Sequence, residues 1–113
     1  MKEFFTIGEI SKLFNINSKT LRYYDEIDLF KPSYVDEHNK YRYYSIDQFE
    51  CLETIQYLKE LGLTLNKIKY HLNTLNLSSI VDSLEYQNQI IEEKIKELRG
   101  MQEKINNKIL IRK

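Results

Sequence analysis

Apolar residues recur along this chain at helical spacing, with punctuation residues between the runs. Ile7, Ile10, Leu13 and Phe14 fall on one side of a helix, and Thr6 with Glu9 forms the T-x-x-E capping box that opens it, which predicts a helix over 7–14. The segment "NIN" breaks that rhythm, and Ser18 is placed to cap a second helix after a link of three or four residues, the spacing of a helix-turn-helix. The segment "IDLF" and Pro32 end the second helix. "YVDEHNKYRYY" then reads as a β-hairpin around a polar turn containing Asp36 and Asn39, with Tyr41 and Tyr43 on one face and Arg42 and Tyr44 on the other. A second capping box, Ser45 with Gln48, opens a helix through Phe49, Leu52, Ile55, Leu58 and Leu61, and Gly62 is placed to stop it. Thr64 caps a fourth helix whose buried stripe is Leu65, Ile68, Leu72 and Leu75.

Beyond this point the pattern changes to a seven-residue repeat without proline or turn signals. With Leu84, Ile91, Leu98 and Ile105 at d positions, the a positions are Val81, Asn88, Ile95, Gln102 and Ile109. At ~1.5 Å per residue such a helix reaches roughly 45 to 50 Å, further than a domain of about 75 residues can cover, so its seam needs another chain. Asn88 and Gln102 weaken that seam but favour one register and strand number. The repeat leaves parallel and antiparallel pairing open. The expected architecture is mainly α: a winged helix-turn-helix over 1–75 with a small hairpin wing, then a coiled-coil dimerisation helix over 76–113.

Charge changes the picture only locally. The 113 residues carry 17 Lys and Arg against 17 Asp and Glu, so bulk electrostatics gives no reason to expect a polyanion, and any such partner must meet a local patch. Cys51 is the single cysteine, which excludes an internal disulfide and fits the reducing cytoplasm. No apolar run approaches the ~20 residues a membrane span requires, and "MKEFFTIGEI" lacks the apolar core of a signal peptide.

The local patch lies on the second helix. Lys19, Arg22, Tyr23 and Glu26 share one face, while Leu21 and Tyr24 turn toward the first helix. In a helix-turn-helix the second helix enters the major groove, and its early residues, here Ser18, Lys19 and Arg22, meet base edges or phosphates. The hairpin adds Lys40, Tyr41 and Arg42, donors suited to a sugar-phosphate backbone. Each residue alone also reads as solvated surface or ordinary packing; their combination with a dimer seam points to duplex DNA. Lys59, Lys67, Lys69 and Tyr70 read as solvated surface or as a second basic edge. Asp25, Glu26 and Asp28 read as surface acids, and Cys51 with His38 or His71 lacks zinc-ligand spacing, so no catalytic residue, metal site or cofactor is expected.

The stretches "TIGEISKLFNINSKTLRYYDEIDLF", "KYRYYS" and "YLKELGLTLNKIK", with the long terminal helix, resemble the MerR family of bacterial transcription regulators over essentially the whole chain. "IDLF", where a glycine-leucine is frequent, is reminiscent of the multidrug-responsive branch. The resemblance implies a homodimer joined by an antiparallel coiled coil, with each winged helix-turn-helix on one half of an inverted-repeat operator. It further implies that the dimer bends and untwists a promoter whose elements are too far apart, and so acts indirectly on RNA polymerase. Arg22, Tyr23 and Tyr24 match the family motif in the recognition helix, Tyr41 and Arg42 match the wing, and Lys59 matches a flanking basic position. Metal-sensing members place cysteines around the start of the terminal helix and just beyond it, where this chain has none. Drug-sensing members carry a separate C-terminal effector domain; here it is absent, which suggests a piece of a longer regulator or a minimal member. The alternative to a DNA-binding regulator is a coiled-coil adaptor that grips a protein.

Overall fold

A computed structural model describes residues 2–74 and 77–112. The chain divides into two units, Met1–Thr74 and Leu75–Lys113. In the first, strand β1 (Phe4–Thr6) leads into helix α1 (Ile7–Phe14), and helix α2 (Ser18–Glu26) follows after three residues. Both halves of the first capping box form: Glu9 N–H donates to Thr6 Oγ1 at 3.2 Å, and Thr6 N–H donates to Glu9 Oε1 at 2.9 Å. Asn15 closes α1 in the left-handed conformation at φ 51°, a tolerated use of asparagine. The cap of α2 is Asn17, not Ser18: its Oδ1 accepts from Lys19 N–H at 2.8 Å, which places Ser18 inside the first turn.

The expected hairpin is part of a larger sheet. Strands β2 (Tyr34–Val35) and β3 (Arg42–Ser45) pair antiparallel, and β1 adds to the free side of β3 with Phe5 opposite Tyr44, giving the order β1-β3-β2. The periodicity of the chain did not reveal β1, because three residues are too few to show alternation and its partner lies about 40 positions away. The central strand carries Tyr44 into the core, stacked on Phe30 at 5.5 Å, while Tyr43 stacks on Tyr34 outside at 5.0 Å. The second capping box forms as expected but opens a 3-10 turn, Ile46–Gln48, before helix α3 (Phe49–Glu60).

Gly62, at φ 96°, ends α3: Leu63 N–H donates to the Leu58 carbonyl at 3.1 Å and Gly62 N–H to that of Lys59 at 3.0 Å, a Schellman motif. Helix α4 (Leu65–Thr74) follows, with the Thr64 hydroxyl accepting from Lys67 N–H at 3.2 Å. Ile10, Leu21, Tyr24, Tyr44, Leu52, Ile55 and Ile68 fill the core. Leu13 departs from expectation and is 60% exposed, since it sits ~100° around α1 from Phe14, off the edge of the buried face. In α4, His71 joins Ile68 in the interior; Leu75 lies outside the described residues.

The second unit is a single helix, α5 (Leu77–Arg112), of 36 residues, ~54 Å long at ~1.5 Å per residue. Most of its seam is uncovered: Val81, Ile91, Ile95, Leu98, Ile105 and Ile109 are exposed, as are Asn88 and Gln102, and Leu84 is half-buried. Met101, Leu110 and Ile111 add exposed apolar surface outside the a and d positions. No described helix is long and apolar enough to cross a membrane.

Candidate nucleic-acid interface

Helix α2 presents its two sides as its spacing requires. Leu21 and Tyr24 are buried, and Lys19, Arg22, Tyr23 and Glu26 stand in solvent. Arg22 borders a cleft of about 300 Å³ whose other walls are Lys40, Tyr41 and Arg42 from the wing and Thr6–Gly8 at the start of α1. Three cationic side chains line this cleft and no carboxylate does. At the α1 terminus the capping box of Thr6 and Glu9 takes up the Thr6 and Glu9 N–H groups, while those of Ile7 and Gly8 have no intrahelical acceptor.

The tip of the wing is set by its own side chains. Asp36 Oδ1 accepts from His38 N–H at 2.8 Å and Asn39 N–H at 3.1 Å, and Asn39 Oδ1 accepts from Tyr41 N–H at 2.9 Å. Lys40 turns through φ 63° and Tyr41 emerges largely exposed.

Asp25 is no mere surface acid. Its Oδ2 accepts from Arg42 Nε at 3.1 Å and its Oδ1 from Lys31 Nζ at 2.9 Å, with its side chain only 19% exposed. Burial, the largest single influence, pushes its pKa upward, but the hydrogen bonds and charges of Lys31 and Arg42 outweigh it and hold the carboxyl below its ordinary 3.8. Lys31 also pairs with Asp28 at 2.9 Å. The Tyr44 hydroxyl lies within the same field: burial first, then the Asp25 carboxylate, push its pKa up to about 12 against the pull of Arg42 and Arg22. That hydroxyl has no hydrogen-bond partner among the described residues.

A second cleft, of about 390 Å³, lies along the other flank of α2 between Asn15, Asn17 and Thr20 on one side and Gln56, Lys59 and Glu60 of α3 on the other. Tyr24 matches the family motif beside Tyr23, but the structure keeps it inside, as its position on α2 predicts, and so removes it from direct contact with a duplex. Its ring is 1% exposed, packed in the core, and its hydroxyl meets Lys59 Nζ at 3.4 Å. Gln56, which the sequence did not single out, donates from Nε2 to the Phe14 carbonyl at 2.9 Å and so ties α3 to the end of α1.

Arg22, Lys40, Tyr41 and Arg42 therefore converge on one cleft and Tyr24 with Lys59 on another, while Ser18, Lys19 and Tyr23 line neither. Lys69 is engaged elsewhere, donating to the Ile27 carbonyl beyond α2 at 2.8 Å. Cys51 is half-buried, and burial pushes its thiol pKa up, away from nucleophilic character. Among the described residues no group of three or more His, Cys, Asp or Glu could hold a metal ion.

Comparison with known proteins gives this geometry a context. Residues 5–75 match the family described as MerR HTH family regulatory protein. The chain is 39% identical over 111 residues to the multidrug-efflux transporter 2 regulator of Bacillus subtilis (strain 168), covering 98% of this chain and 40% of that protein. It thus spans about two fifths of the length of the curated regulators it matches along nearly its whole extent. It is similar in structure to MtaN, the N-terminus of the Bacillus subtilis multidrug transporter activator, with a TM-score of 0.79 at 27% identity, over 94% of this chain and 98% of that one. The regulator in the cryo-EM structure of the EcmrR-DNA complex in EcmrR-RPo matches with a TM-score of 0.77 at 31% identity, over 93% of this chain and 38% of that one. With a family match across the whole helix-turn-helix unit and likeness to these regulators along nearly its full length, the chain belongs to the MerR HTH family of regulatory proteins.

Proposed function

We propose that this chain binds double-stranded promoter DNA as a homodimer, each Met1–Thr74 unit engaging one half of an inverted repeat. The observation that carries this reading is the carboxylate-free cleft in which Arg22 of α2 meets Lys40, Tyr41 and Arg42 of the wing. Cationic donors gathered from a recognition helix and a wing suit a phosphate backbone, where contacts fix register and orientation. Lys19 and Tyr23, exposed on the outer side of α2, face the groove; Lys59, beside Tyr24, holds a phosphate on the opposite flank. Support for the DNA partner also comes from the similar regulator EcmrR, whose structure is that of a DNA complex.

The second unit supplies the pairing. Leu84, Ile91, Ile95, Leu98, Ile105 and Ile109, with Asn88 and Gln102 setting register, form the seam of an antiparallel coiled coil between two copies of α5. Two reading units joined in one dimer bend and untwist the duplex between them. Deforming a site costs several kcal/mol, so backbone contacts that hold the distorted form matter as much as base contacts. The dimer thereby changes the spacing that RNA polymerase meets at the promoter. Likeness to the multidrug-efflux transporter 1 and 2 regulators of Bacillus subtilis supports efflux-transporter genes as the targets.

Footprinting on the promoter of the chain's own gene tests this. A symmetric protected stretch between the promoter elements is expected, with affinity falling steeply as salt is added because bound phosphates release counterions. Absence of protection at low ionic strength overturns the reading, and salt-insensitive capture of a protein instead would make the chain an adaptor.

A further inference from the structure

From the contacts of its carboxylate, we infer that Asp25 is a positioning residue for DNA binding, orienting the Arg42 guanidinium toward the cleft it shares with Arg22. The inference rests on the proposed DNA-binding reading and deepens it. Asp25 is the penultimate residue of α2 and does not line the cleft; Arg42 does. The Asp25 carboxylate takes the Nε edge of Arg42 at 3.1 Å and is itself anchored on its other oxygen by Lys31 at 2.9 Å. A guanidinium is planar, with donors in a fixed fork, so engaging Nε also sets the direction of the two terminal nitrogens. Those nitrogens are the part of Arg42 left to meet a phosphate.

The surroundings make Asp25 a fixed reference. Arg42 begins the central strand of the sheet, and two residues on, Tyr44 is fully buried against Phe30, so the backbone of β3 at this point is held by the core. The long side chain is the remaining freedom, and Asp25 removes it across 17 positions of sequence. A side chain ordered before binding does not lose that freedom on binding, which is the ordinary source of affinity from preorganisation. The contact also joins the last turn of the recognition helix to the wing, so both meet the duplex in one geometry.

Charge and position predict opposite signs here. Asp25→Asn removes a negative charge from a surface facing a polyanion, so an acid acting only through its field would tighten binding when neutralised. Positioning predicts about three- to tenfold weaker binding, the scale of one long side chain immobilised anew. The test is a titration of the full chain with an inverted-repeat duplex at fixed salt, for wild type, Asp25→Asn, Arg42→Ala and the double variant, with circular dichroism as the check on folding. Asp25→Asn is expected to weaken binding in the wild-type background and to change nothing once Arg42 is alanine. Asp25→Glu should recover part of the loss, and it takes the place of the asparagine variant in the cycle if that variant does not fold. Unchanged or tighter binding by Asp25→Asn, or an equal loss in both backgrounds, overturns the inference while leaving DNA binding intact. Failure of wild type to bind any duplex removes the underlying reading instead, and the inference with it.

Discussion

Replacing Ile95 by aspartate in the middle of α5 tests whether the exposed seam is an interface between two copies. Ile95 keeps 43% of its surface exposed in the single chain. Full burial of an isoleucine is worth ~1.5–3 kcal/mol, so covering that remainder contributes about 1 kcal/mol per copy and about 2 kcal/mol per dimer. The carboxylate does more damage than the lost burial, since placing an unpaired charge in an apolar seam costs several kcal/mol per ion. Together the two copies lose at least ~5 kcal/mol, which at ~1.4 kcal/mol per decade is more than a thousandfold in dimer dissociation. Glu93→Lys, at the f position opposite the seam, is the control and is expected to leave pairing unchanged. Sedimentation equilibrium at micromolar concentration reads the outcome. Near-ultraviolet circular dichroism reports that the helix-turn-helix unit stays folded, because every tyrosine except Tyr86 lies in it. An Ile95→Asp chain that sediments as a dimer with the wild-type dissociation constant refutes the assignment of the seam.

Arg22→Ala is expected to weaken duplex binding by about 1 to 3 kcal/mol at fixed salt without moving the melting temperature, because the side chain is exposed and lines the cleft rather than the core. Gly62→Ala should lower stability by about 1 to 2 kcal/mol in urea unfolding, since a Cβ disfavours the positive φ of 96° that closes α3; an unchanged midpoint would show that the turn relaxes without loss. Tyr44 gives the chain an alkaline limit. Its folded pKa is raised from 10.0 to about 12, so the stability it contributes is complete below pH 10 and is lost as pH rises toward 12. Tyr44→Phe should flatten that part of the stability profile, and, by removing a buried hydroxyl without a described partner, leave neutral-pH stability equal or about 1 kcal/mol higher.

What the sequence determined by itself is what neighbours in the chain settle between them. Both capping boxes, the Thr64 cap and the Gly62 stop are bonds between residues a few positions apart, so the local order of residue types suffices to place them. The long helix α5 and its seven-residue apolar repeat follow from spacing alone, because helix geometry maps sequence period onto one side. The outward side of α2 was legible for the same reason, and so was the inward turn of Tyr24, which family likeness alone would have left among the contact residues.

Tertiary structure decided the rest through pairings that no local period encodes. Strand β1 exists only because β3, about 40 residues later, offers it a free edge. Gln48 serves the chain beyond its capping box, its Oε1 accepting from Ser33 Oγ at 2.9 Å, a link made only once the loop after α2 folds back. Most consequential is Asp25, which in sequence is one acid among several near a helix end. Its role appears when the wing brings Arg42, 17 positions away, to within 3.1 Å. Whether a charged side chain is solvated or structural depends on what closes over it, and that is settled by chain closure between distant segments rather than by the residues beside it.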